Sequence, residues 1–492
     1  MLFYKLLNYT SPIPFTSSYH VADLLRFLVF AALNVVFGLN RNKYTTDFKL
    51  YGWLCIANGG IALLMAPRTN PFAILLRVPS PVLLQYHRWV GVATVAHATT
   101  HVAYNIMHYI ETSQVASSFA NRRIQVGLMA WISLVIILIT AQPIVRRRFF
   151  EVFYYSHALF FVFLVGALIH TTKGPEFLLP GFAMWVIDRA IRFAYNFRRI
   201  EVDSAVYYEG NLTKFKVRGL PAANPGQIIW LQIPDVAFLN WHPFTVAKSS
   251  VQPGGLSTIA IRGLGGYTNK VQKLANHDSD TSVHAGIPSR MPQTVLRIDG
   301  PYGVGRNQWG RHPVAVLIAG GIGITPALSI ASHLVGGNTS INNMTGHQAA
   351  TNSAAKFHIH LLWVVKEASH VRWFEQEFEE LYATCSKINS QATFTMDIYV
   401  TRAQKEMSPM VHREASESSA EGEGSYTKPW AVKSGRPNVS AWLGTVKEIR
   451  QGKDADLNIC GPRSLVNEAR KAALEVSGSS GIYHIEEEIF EL

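Results

Sequence analysis

Hydrophobic residues are spread unevenly along this chain of 492 residues, and their pattern changes near residue 200. Before that point they form long runs, six of which are long enough to cross a bilayer as a helix. The predicted spans are 20–40, 48–67, 82–110, 124–142, 149–172 and 176–196. The pattern therefore predicts a six-helix transmembrane bundle within residues 1–198.

After residue 200 the apolar runs become short, and Gly, Pro and Asn separate them. Four of these runs are typical of an antiparallel β-barrel: TKFKVRG, GQIIWLQIP, STIAIRG and TVLRIDG. From residue 312 onward, apolar strands such as VAVLIAG alternate with helical patterns such as ALSIASHLV, which predicts an α/β domain with a parallel sheet. We expect the barrel at 199–311 and the α/β domain at 312–492. Solvated inserts are expected near 276–293, 337–356 and 403–437.

Composition agrees with a membrane protein, because 48% of the residues are hydrophobic and only 16% are charged. The net charge is +12, and basic residues flank the apolar runs, as at Arg146–Arg148. We attribute this charge to membrane topology rather than to nucleic-acid binding. With six spans, the asymmetry of these basic residues predicts both termini in the cytosol, and the plasma membrane is the expected location. We expect no cleaved signal peptide, because the N-terminus lacks a basic region followed by a short apolar core and a small-residue cleavage site. The three cysteines form neither a disulfide framework nor a zinc motif.

Histidines in two of the predicted spans carry the first chemical signal. His87 and His101 are about 21 Å apart along a helix, and His157 and His170 are about 20 Å apart. Two facing helices with these spacings offer two histidine pairs, one near each membrane surface. Imidazole is an axial ligand of haem iron, so we predict two stacked haems, each held by one histidine from each helix. The alternative is that these histidines form hydrogen bonds at helix interfaces.

Helix geometry sets a condition on this hypothesis. On an ideal helix of about 100° per residue, His157 and His170 point about 140° apart, so their helix needs a tilt or a local distortion. Gly166 is the expected place for that distortion. His97 lies four residues before His101 on the same face and competes with it for the ligand role.

Two glycine-rich turns indicate a nucleotide site. AGGIGITPALSI (319–330) follows a predicted strand and opens a helix, and NICGPRSLVNEA (458–469) repeats that arrangement. Glycines allow the backbone to approach a phosphate closely, and a helix N-terminus presents N–H groups to it. Because ligands bind at the carboxyl ends of parallel strands, the two turns can hold one dinucleotide. A plain tight turn is the alternative for each.

Two motifs stand out in the predicted barrel, WHPFTVAKSS (241–250) and RGLGGYTNKV (262–271). His242 to Thr245 come together at a strand start, where a hydroxyl and backbone N–H groups can hold an isoalloxazine edge or a ribityl chain. Gly265, Gly266 and Thr268 precede a helix-like run, which suits a pyrophosphate. An ordinary turn is the alternative for either motif.

In this order, HRWVG with the four histidines, HPFT, GPYG (300–303), GGIGITP and CGP resemble the motifs of the ferric reductase and NADPH oxidase superfamily. The likeness is greatest to fungal ferric-chelate reductases and covers about residues 20–492. It implies a six-helix bundle with two b-type haems, an FAD barrel and an NADPH module similar to ferredoxin–NADP reductase.

The resemblance also implies residue roles. His87 and His157 would bind one haem, and His101 and His170 the other. With the motif reasoning above, the expected FAD residues are His242, Pro243, Phe244, Thr245, Gly265, Gly266, Thr268 and the C-terminal aromatic Phe490. The expected NADPH residues are Gly320, Gly321, Gly323, Thr325, Pro326, Cys460, Gly461 and Pro462. Lys366, just past a predicted strand, is a further candidate for the 2′-phosphate, and Arg372 and Arg463 are others, with solvated surface bases as the alternative.

The expected activity is electron transfer from cytosolic NADPH, through FAD and two haems, to an acceptor outside the cytosol, with no side-chain general base required. Ferric chelates are the first expected acceptor and Cu(II) the second. The alternative acceptor is dioxygen, which would make the chain a superoxide-producing oxidase. The predicted outer loops, 41–47, 111–123 and 173–175, are short and lack cysteine, which favours a haem edge open to a bulky chelate. Expected partners are the lipid bilayer and an iron permease or oxidase. A channel without redox chemistry leaves the nucleotide turns unexplained.

Overall fold

The computed structural model describes residues 21–39, 47–76, 80–225, 227–237, 240–250, 254–276, 288–289, 295–302, 309–336, 357–387, 392–402, 428–478 and 481–488. Phe490 lies outside these ranges, as do residues 337–356 and most of the other two predicted inserts. The chain divides into two compact units, with the boundary between Tyr195 and Asn196.

The first unit is helical. Its described helices are α1 (Val21–Leu39), α2 (Phe48–Met65), α3 (Pro71–Leu76), α4 (Ser80–Glu111), α5 (Val115–Ala120), α6 (Arg122–Thr140), α7 (Pro143–Arg148), α8 (Phe150–Ser156), α9 (Phe160–His170) and α10 (Gly174–Ile191). A 3₁₀ turn, His157–Leu159, lies between α8 and α9. Each of the six predicted spans is therefore helical, and α8 and α9 together form the fifth.

Three of the six helices, Val21–Leu39, Arg122–Thr140 and Phe150–His170, are long and apolar enough to cross a membrane by length and composition alone. The other three helices do not meet both criteria. Helix α2 is apolar but slightly too short, and α4 and α10 carry too many polar side chains. In α10 the charge of Asp188 is compensated inside the protein. Its carboxylate accepts a hydrogen bond from the Thr69 backbone at 2.8 Å and lies 3.5 Å from the Arg192 guanidinium.

The bundle exposes apolar side chains and packs through small residues. In α1, Leu28 is 60% exposed and Val29 62%, which suits a surface in contact with lipid rather than water. Helices α2 and α10 approach closely at Gly60 and Gly181. A Cβ built on Gly60 would lie 2.1 Å from the carbonyl oxygen of Phe177, so only glycine permits this contact.

The second unit begins with a closed antiparallel barrel. Its strands are β1 (Arg198–Tyr208), β2 (Leu212–Arg218), β3 (Ile228–Gln232), β4 (His242–Lys248), β5 (Ser257–Arg262), β6 (Pro288–Ser289) and β7 (Leu296–Tyr302), with helix α11 (Gly266–Asn276) after β5. The order β2-β5-β4-β3-β7-β1 closes through a further pairing of β1 with β2. Phe215, Ile229 and Leu231 fill the interior and are fully buried. The predicted barrel is confirmed.

A parallel sheet follows. Its strands are β8 (Val314–Gly320), β9 (Phe357–Val365), β10 (Ala392–Val400), β11 (Ala431–Ser434), β12 (Ala455–Cys460) and β13 (Tyr483–Glu488). Their order is β11-β10-β9-β8-β12-β13, and every pairing is parallel. The helices are α12 (Ile324–Val335), α13 (Glu375–Cys385), α14 (Val439–Ile449) and α15 (Arg463–Val476), with 3₁₀ turns at Gly321–Gly323 and Ala368–Phe374. Every residue of β8 is buried, as expected of a strand covered on both faces. The predicted α/β fold is confirmed.

The barrel and the α/β domain share a buried contact. Lys214 of β2 and Glu377 of α13 are 3% and 7% exposed, and their charged atoms are 3.0 Å apart. The Lys214 ammonium also donates to the backbone carbonyl of Trp373 at 3.0 Å. The Trp373 indole N–H donates to the carbonyl of Glu209 at 2.7 Å. The barrel motifs and the nucleotide turns thus belong to one packed unit.

Candidate functional site

The structure brings the four predicted histidines together as two facing pairs. The ring centroids of His87 and His157 are 6.1 Å apart, and those of His101 and His170 are 6.2 Å apart. Two imidazoles on opposite sides of one metal ion are expected about 6.4 Å apart, because each nitrogen lies about 2 Å from the metal and about 1.2 Å from its ring centroid. Each pair therefore fits the axial ligation of one haem iron.

The second ring nitrogens support the same use of these histidines. Nδ1 of His87 is 2.9 Å from the carbonyl oxygen of Ala62, and Nδ1 of His170 is 2.9 Å from that of Arg123. When Nδ1–H donates to a carbonyl, Nε2 keeps its lone pair and can bind a metal. Such a hydrogen bond at the other ring nitrogen is usual for a metal-binding histidine. Nδ1 of His157 is buried and has no hydrogen-bond partner among the described residues. At that atom His157 differs from His87 and His170.

The required helix distortion is present, but not at Gly166. The 3₁₀ turn starts at His157 itself, and its three residues advance by about 120° each instead of about 100°. This reduces the angle between His157 and His170 from about 140° to about 80°. Gly166 instead allows close packing of α9 on α6, since a Cβ there would lie 2.8 Å from that of Ala130. The expectation for Gly166 was wrong because that residue serves contact between helices.

Glycines on neighbouring turns leave room around the rings. A Cβ built on Gly127 would lie 2.5 Å from Nδ1 of His170, and one on Gly52 would lie 3.1 Å from Cε1 of His101. Gly91, one turn after His87, has no described atom within 4 Å of the position a Cβ would take. The backbone beside His87 is therefore open at Gly91.

His97, the competing histidine, is engaged elsewhere. Its Nε2 is 3.2 Å from Oδ1 of Asn34, and that oxygen also accepts from the Asn58 amide at 2.8 Å. The Tyr51 ring lies beside it, with centroids 6.2 Å apart. His97 thus has the hydrogen bond of a helix-interface histidine.

The two glycine turns of the α/β domain meet at one edge of the sheet. Strands β8 and β12 are neighbours, with Ala319 opposite Cys460, so both turns emerge side by side. A Cβ on Gly320 would lie 2.7 Å from Pro462 Cδ, and one on Gly323 would lie 2.5 Å from the Cys460 carbonyl oxygen. Gly321 adopts φ +57°, which favours glycine. The turns predicted to hold one dinucleotide are therefore in contact.

The other predicted nucleotide residues differ in exposure. Gly461 contacts Gly320, while Thr325 and Pro326 are buried in the first turn of α12. The Thr325 hydroxyl donates to the carbonyl of Ile322 at 3.2 Å. Cys460 is fully buried, and burial raises the pKa of its thiol well above the usual value, so it stays protonated. Lys366 is exposed and follows β9 at the same edge of the sheet, where Val364 pairs with Gly320.

The HPFT motif lies at the start of β4, as predicted. The His242 ring stacks on Tyr267 with centroids 3.9 Å apart, and Pro243 and Phe244 are half-buried. Thr245 is 4% exposed, and its hydroxyl has no hydrogen-bond partner among the described residues. Leaving a buried hydroxyl without a partner is costly, and a flavin bound along this strand would supply one. The motif therefore fits the predicted cofactor.

The second barrel motif forms a turn before α11. The Thr268 hydroxyl accepts hydrogen bonds from the backbone N–H groups of Leu264 and Gly265, both at 2.9 Å. A Cβ on Gly265 or Gly266 would meet no described atom within 4 Å. Thr268 therefore shapes the turn, and the two glycines leave its backbone open to a phosphate.

Arg262, at the head of the same motif, was not predicted as a site residue. Its guanidinium carbon lies 5.2 Å from the Trp373 ring centroid, and a Cβ built on Gly321 would lie 3.3 Å from its Nη1. Its Nε is buried without a hydrogen-bond partner among the described residues. Burial lowers the pKa of Arg262 from its usual value. The barrel thus places a cation beside the first nucleotide turn.

His370 contacts the same tryptophan, Trp373, as Arg262 does. Its ring stacks on Trp373 with centroids 4.1 Å apart. Gly210, at φ +81°, leaves the space it needs, because a Cβ there would lie 2.3 Å from Nε2 of His370. Burial, and then the nearby Arg262, lower the pKa of His370 to about 4, so the ring is neutral at neutral pH. Sequence reasoning missed Arg262 because Trp373 lies more than a hundred positions away in the chain. It missed His370 because Gly210, which leaves space for the ring, is also more than a hundred positions away.

Comparisons with known proteins follow the same domain order. Family models match a ferric reductase like transmembrane component at residues 51–168, an FAD-binding domain at 197–306 and a ferric reductase NAD binding domain at 312–474. Among solved structures, a ferredoxin NADP+ reductase from Neisseria gonorrhoeae with bound FAD and NADP has a TM-score of 0.36 at 13% identity, covering 59% of this chain and 98% of that one.

Curated relatives match a larger share of this chain than of their own length. Ferric reduction oxidase 2 of Arabidopsis thaliana is 29% identical over 57% of this chain and 38% of its own. Ferric reduction oxidase 8, mitochondrial, of the same plant is 28% identical over 65% of this chain and 47% of its own. A superoxide-generating NADPH oxidase heavy chain of Dictyostelium discoideum is 25% identical over 72% of this chain and 58% of its own. The matches span less than two thirds of each of these relatives.

Three domain matches in one order, on a helical unit followed by a barrel and a parallel α/β domain, lead to one assignment. The chain is a membrane protein of the ferric reductase and NADPH oxidase superfamily.

Proposed function

We propose that the chain carries electrons across a membrane, from cytosolic NADPH through FAD and two b-type haems to ferric chelates on the other side. The observation that carries this proposal is the presence of two facing histidine pairs, at 6.1 and 6.2 Å, on helices whose ligand spacing is about 21 Å. When bound, FAD would take a hydride from NADPH and release electrons singly to the haems.

The chain's own part is binding, spacing and exclusion of water. His87 with His157, and His101 with His170, would hold the two irons near opposite ends of the bundle. Backbone hydrogen bonds at Nδ1 of His87 and His170 would fix their ring orientation.

The cytosolic cofactors would bind to the second unit. The proposed FAD residues are His242 to Thr245, with the open turn at Gly265 and Gly266. The proposed NADPH residues are the contacting turns at Gly320 to Pro326 and Cys460 to Pro462. Lys366 is proposed to meet the 2′-phosphate, because it is exposed at the edge of the sheet where both turns emerge.

Ferric chelates are the proposed acceptor, with Cu(II) as a second substrate. Support comes from relatives named ferric reduction oxidases and from the short connections on the predicted outer side. The connection after α9 is Thr171–Lys173, and the one before α6 holds only the six-residue helix α5. Short connections favour access of a bulky chelate to the outer haem edge.

Reduction of dioxygen to superoxide is the second candidate. A specific observation favours it, since the superoxide-generating relative matches 72% of this chain, more than either ferric reduction oxidase above.

We also propose a location and a partner. The plasma membrane and cytosolic termini are proposed from the positive-inside asymmetry. An iron permease or oxidase is proposed as the partner because of the proposed substrate.

Haem counting on purified variants tests the ligand assignment. We expect His87→Ala or His157→Ala to lose one haem and His101→Ala or His170→Ala to lose the other. His97→Ala should keep both, because its Nε2 is hydrogen-bonded to Asn34. Pyridine-haemochrome absorbance per protein gives the stoichiometry. Unchanged stoichiometry in all four variants would refute the assignment, and absence of any haem absorbance from the unsubstituted protein would refute the proposed function.

A further inference from the structure

A cluster of histidines and carboxylates lies at the end of the parallel sheet opposite to the nucleotide turns. His312 precedes β8, Asp454 and Asp456 lie at the start of β12, and His484 lies at the start of β13. These strands are neighbours in the order β8-β12-β13. Strand β12 spans Ala455–Cys460, so the cluster is about 17 Å from the nucleotide turn at Cys460. The cluster is thus separate from the redox sites.

Strand register explains why these side chains meet. Asp456 pairs with His484 in the parallel ladder, so the two side chains stand beside each other on one face. Asp454 immediately precedes β12, and its Oδ2 lies 3.5 Å from Nε2 of His484. Ligand atoms of His312, Asp454 and His484 all lie within 4.8 Å of one another.

The contacts within the cluster resemble those of a metal site. Nδ1 of His312 is 2.7 Å from Oδ1 of Asp456, a carboxylate–histidine pair that leaves Nε2 of His312 available as a ligand. The rings of His312 and His484 are stacked, with centroids 4.5 Å apart and planes 5° apart. Nε2 of His484 is 3.5 Å from Oδ2 of Asp454.

A second observation indicates that a ligand is needed there. Asp456 is only 8% exposed, yet its Oδ2 has no hydrogen-bond partner among the described residues. Nε2 of His484 is also buried, and it lies 3.5 Å from the Asp454 carboxylate. A buried carboxylate oxygen costs free energy unless a hydrogen bond or a cation compensates it. The carboxylates of Asp454 and Asp456 carry negative charge that a divalent cation would neutralise.

We propose that His312, Asp454 and His484 bind a divalent first-row metal ion, oriented by the carboxylate of Asp456. Two imidazoles and a carboxylate suit Zn²⁺ and Fe²⁺. In a tetrahedral site the ligand atoms are about 3.4 Å apart, so the 4.8 Å limit requires side-chain rotation. The His484 and Asp454 side chains are 43% and 42% exposed, so packed protein does not enclose them on every side.

The ion would link three segments that are distant in sequence: the residues before β8, the residues before β12 and the start of β13. It would anchor the start of β13, whose last residue, Glu488, pairs with Cys460 at the nucleotide edge. Its occupancy would therefore stabilise the strand that borders the second nucleotide turn. The site does not depend on the proposed electron transfer.

Metal titration of the full-length protein tests the proposal. Protein without a polyhistidine tag is stripped with a chelator and titrated with Zn²⁺ against a chromophoric chelator, and with Fe²⁺ under nitrogen in a second arm. We expect His312→Ala, His484→Ala and Asp454→Asn each to lose one binding equivalent relative to the unsubstituted protein. Asp456→Asn should weaken that equivalent on the order of 10–100-fold, as loss of a histidine-orienting carboxylate does elsewhere.

Two comparisons separate a site from non-specific binding. Asn at position 454 keeps the oxygen that accepts from the Ile482 backbone N–H at 2.8 Å, so this variant is expected to fold normally. His358→Ala removes an exposed histidine of β9 whose Nδ1 is 2.9 Å from the Thr393 hydroxyl, and should retain every equivalent. Zn²⁺ should also raise the thermal midpoint of the unsubstituted protein but not that of Asp454→Asn. Equal stoichiometry in Asp454→Asn and the unsubstituted protein would overturn the proposal.

Discussion

Arg262 stands between two sites that the sequence presents as separate motifs. It ends barrel strand β5, yet its Nη1 lies 3.3 Å from the position a Cβ on Gly321 would occupy in the α/β domain. Trp373 holds the guanidinium in place from one side, with 5.2 Å between its ring centroid and the guanidinium carbon. A cation in this position is suited to the pyrophosphate shared by both nicotinamide nucleotides.

Kinetics with both nucleotides can distinguish Arg262 from Lys366. We expect Arg262→Ala to raise KM for NADPH and NADH alike, by about tenfold or more, because a charged hydrogen bond contributes about 1.5–3 kcal/mol. Lys366→Ala should lower kcat/KM for NADPH alone, since only that nucleotide has a 2′-phosphate. Arg218→Ala is the matched control, as Arg218 is an exposed arginine paired with Asp203 at 2.6 Å. An unchanged NADPH-to-NADH ratio in Lys366→Ala would clear that residue.

At the residue scale, the sequence predicts those site residues whose positions follow from spacing along a helix or strand. It misses those that only tertiary contacts bring together. The rise of a helix predicted two facing histidine pairs, and the structure brings His87 to His157 and His101 to His170. Their role as haem ligands stays a prediction. Arg262 was missed, since Trp373 lies far from it in the chain and the packing of the barrel against the α/β domain brings the two together. His370 was missed because spacing alone does not show that its ring stacks on Trp373. The cluster around Asp456 was missed for the same reason: only the register of β12 and β13 shows that His484 stands beside it.

At the scale of elements, β2 and α13 are joined by a buried ion pair. Lys214 and Glu377 are 3% and 7% exposed, and the ammonium has three oxygens within 3.1 Å, two from Glu377 and one from the Trp373 carbonyl. Removing one partner leaves the other charge buried without compensation, which is far more costly than losing an exposed pair.

A stability comparison tests that contact. We expect Lys214→Met to destabilise the second unit by about 3–5 kcal/mol, and the double variant Lys214→Met, Glu377→Leu to recover much of the loss. Lys433→Met is the control, because the Lys433–Asp397 pair is 47% and 30% exposed and should cost at most about 1 kcal/mol. The midpoint of the tryptophan fluorescence transition in urea measures each change. Equal shifts for Lys214→Met and Lys433→Met would show that the buried pair does not hold the two domains together.

The elements themselves were largely predictable. Barrel strands and parallel strands were found because short β-branched runs and the alternation of strand and helix differ clearly from long apolar helices. The 3₁₀ turn at His157–Leu159 was not placed by sequence, which pointed instead to Gly166. A glycine in an apolar helix serves either backbone distortion or close packing, and only the neighbouring Ala130 shows which applies.

At the scale of the whole molecule, the chain joins a helical unit with paired histidines to a unit with two contacting nucleotide turns. If the helical unit acted alone, it would not need nucleotide turns. If the second unit acted alone, it would not need paired histidines. Their combination in one chain agrees with transport of electrons from a soluble donor to an acceptor across a membrane. Family membership is common to ferric reductases and superoxide-producing oxidases, so the acceptor must be decided by experiment.

Oriented vesicles can decide between ferric chelates and dioxygen. NADPH and FAD are supplied on the side of the second unit, ferric citrate is enclosed on the other side, and an impermeant chelator there reports Fe(II). We expect Fe(II) to form under nitrogen and to persist in air with superoxide dismutase present, because direct reduction at the outer histidine pair needs no oxygen. Vesicles carrying His101→Ala should form none, since that pair would no longer bind its haem. If Fe(II) appears only in air and dismutase abolishes it, superoxide is the reductant and the chain is an oxidase. The dismutase arm is essential, because superoxide itself reduces ferric iron and would otherwise imitate the proposed activity.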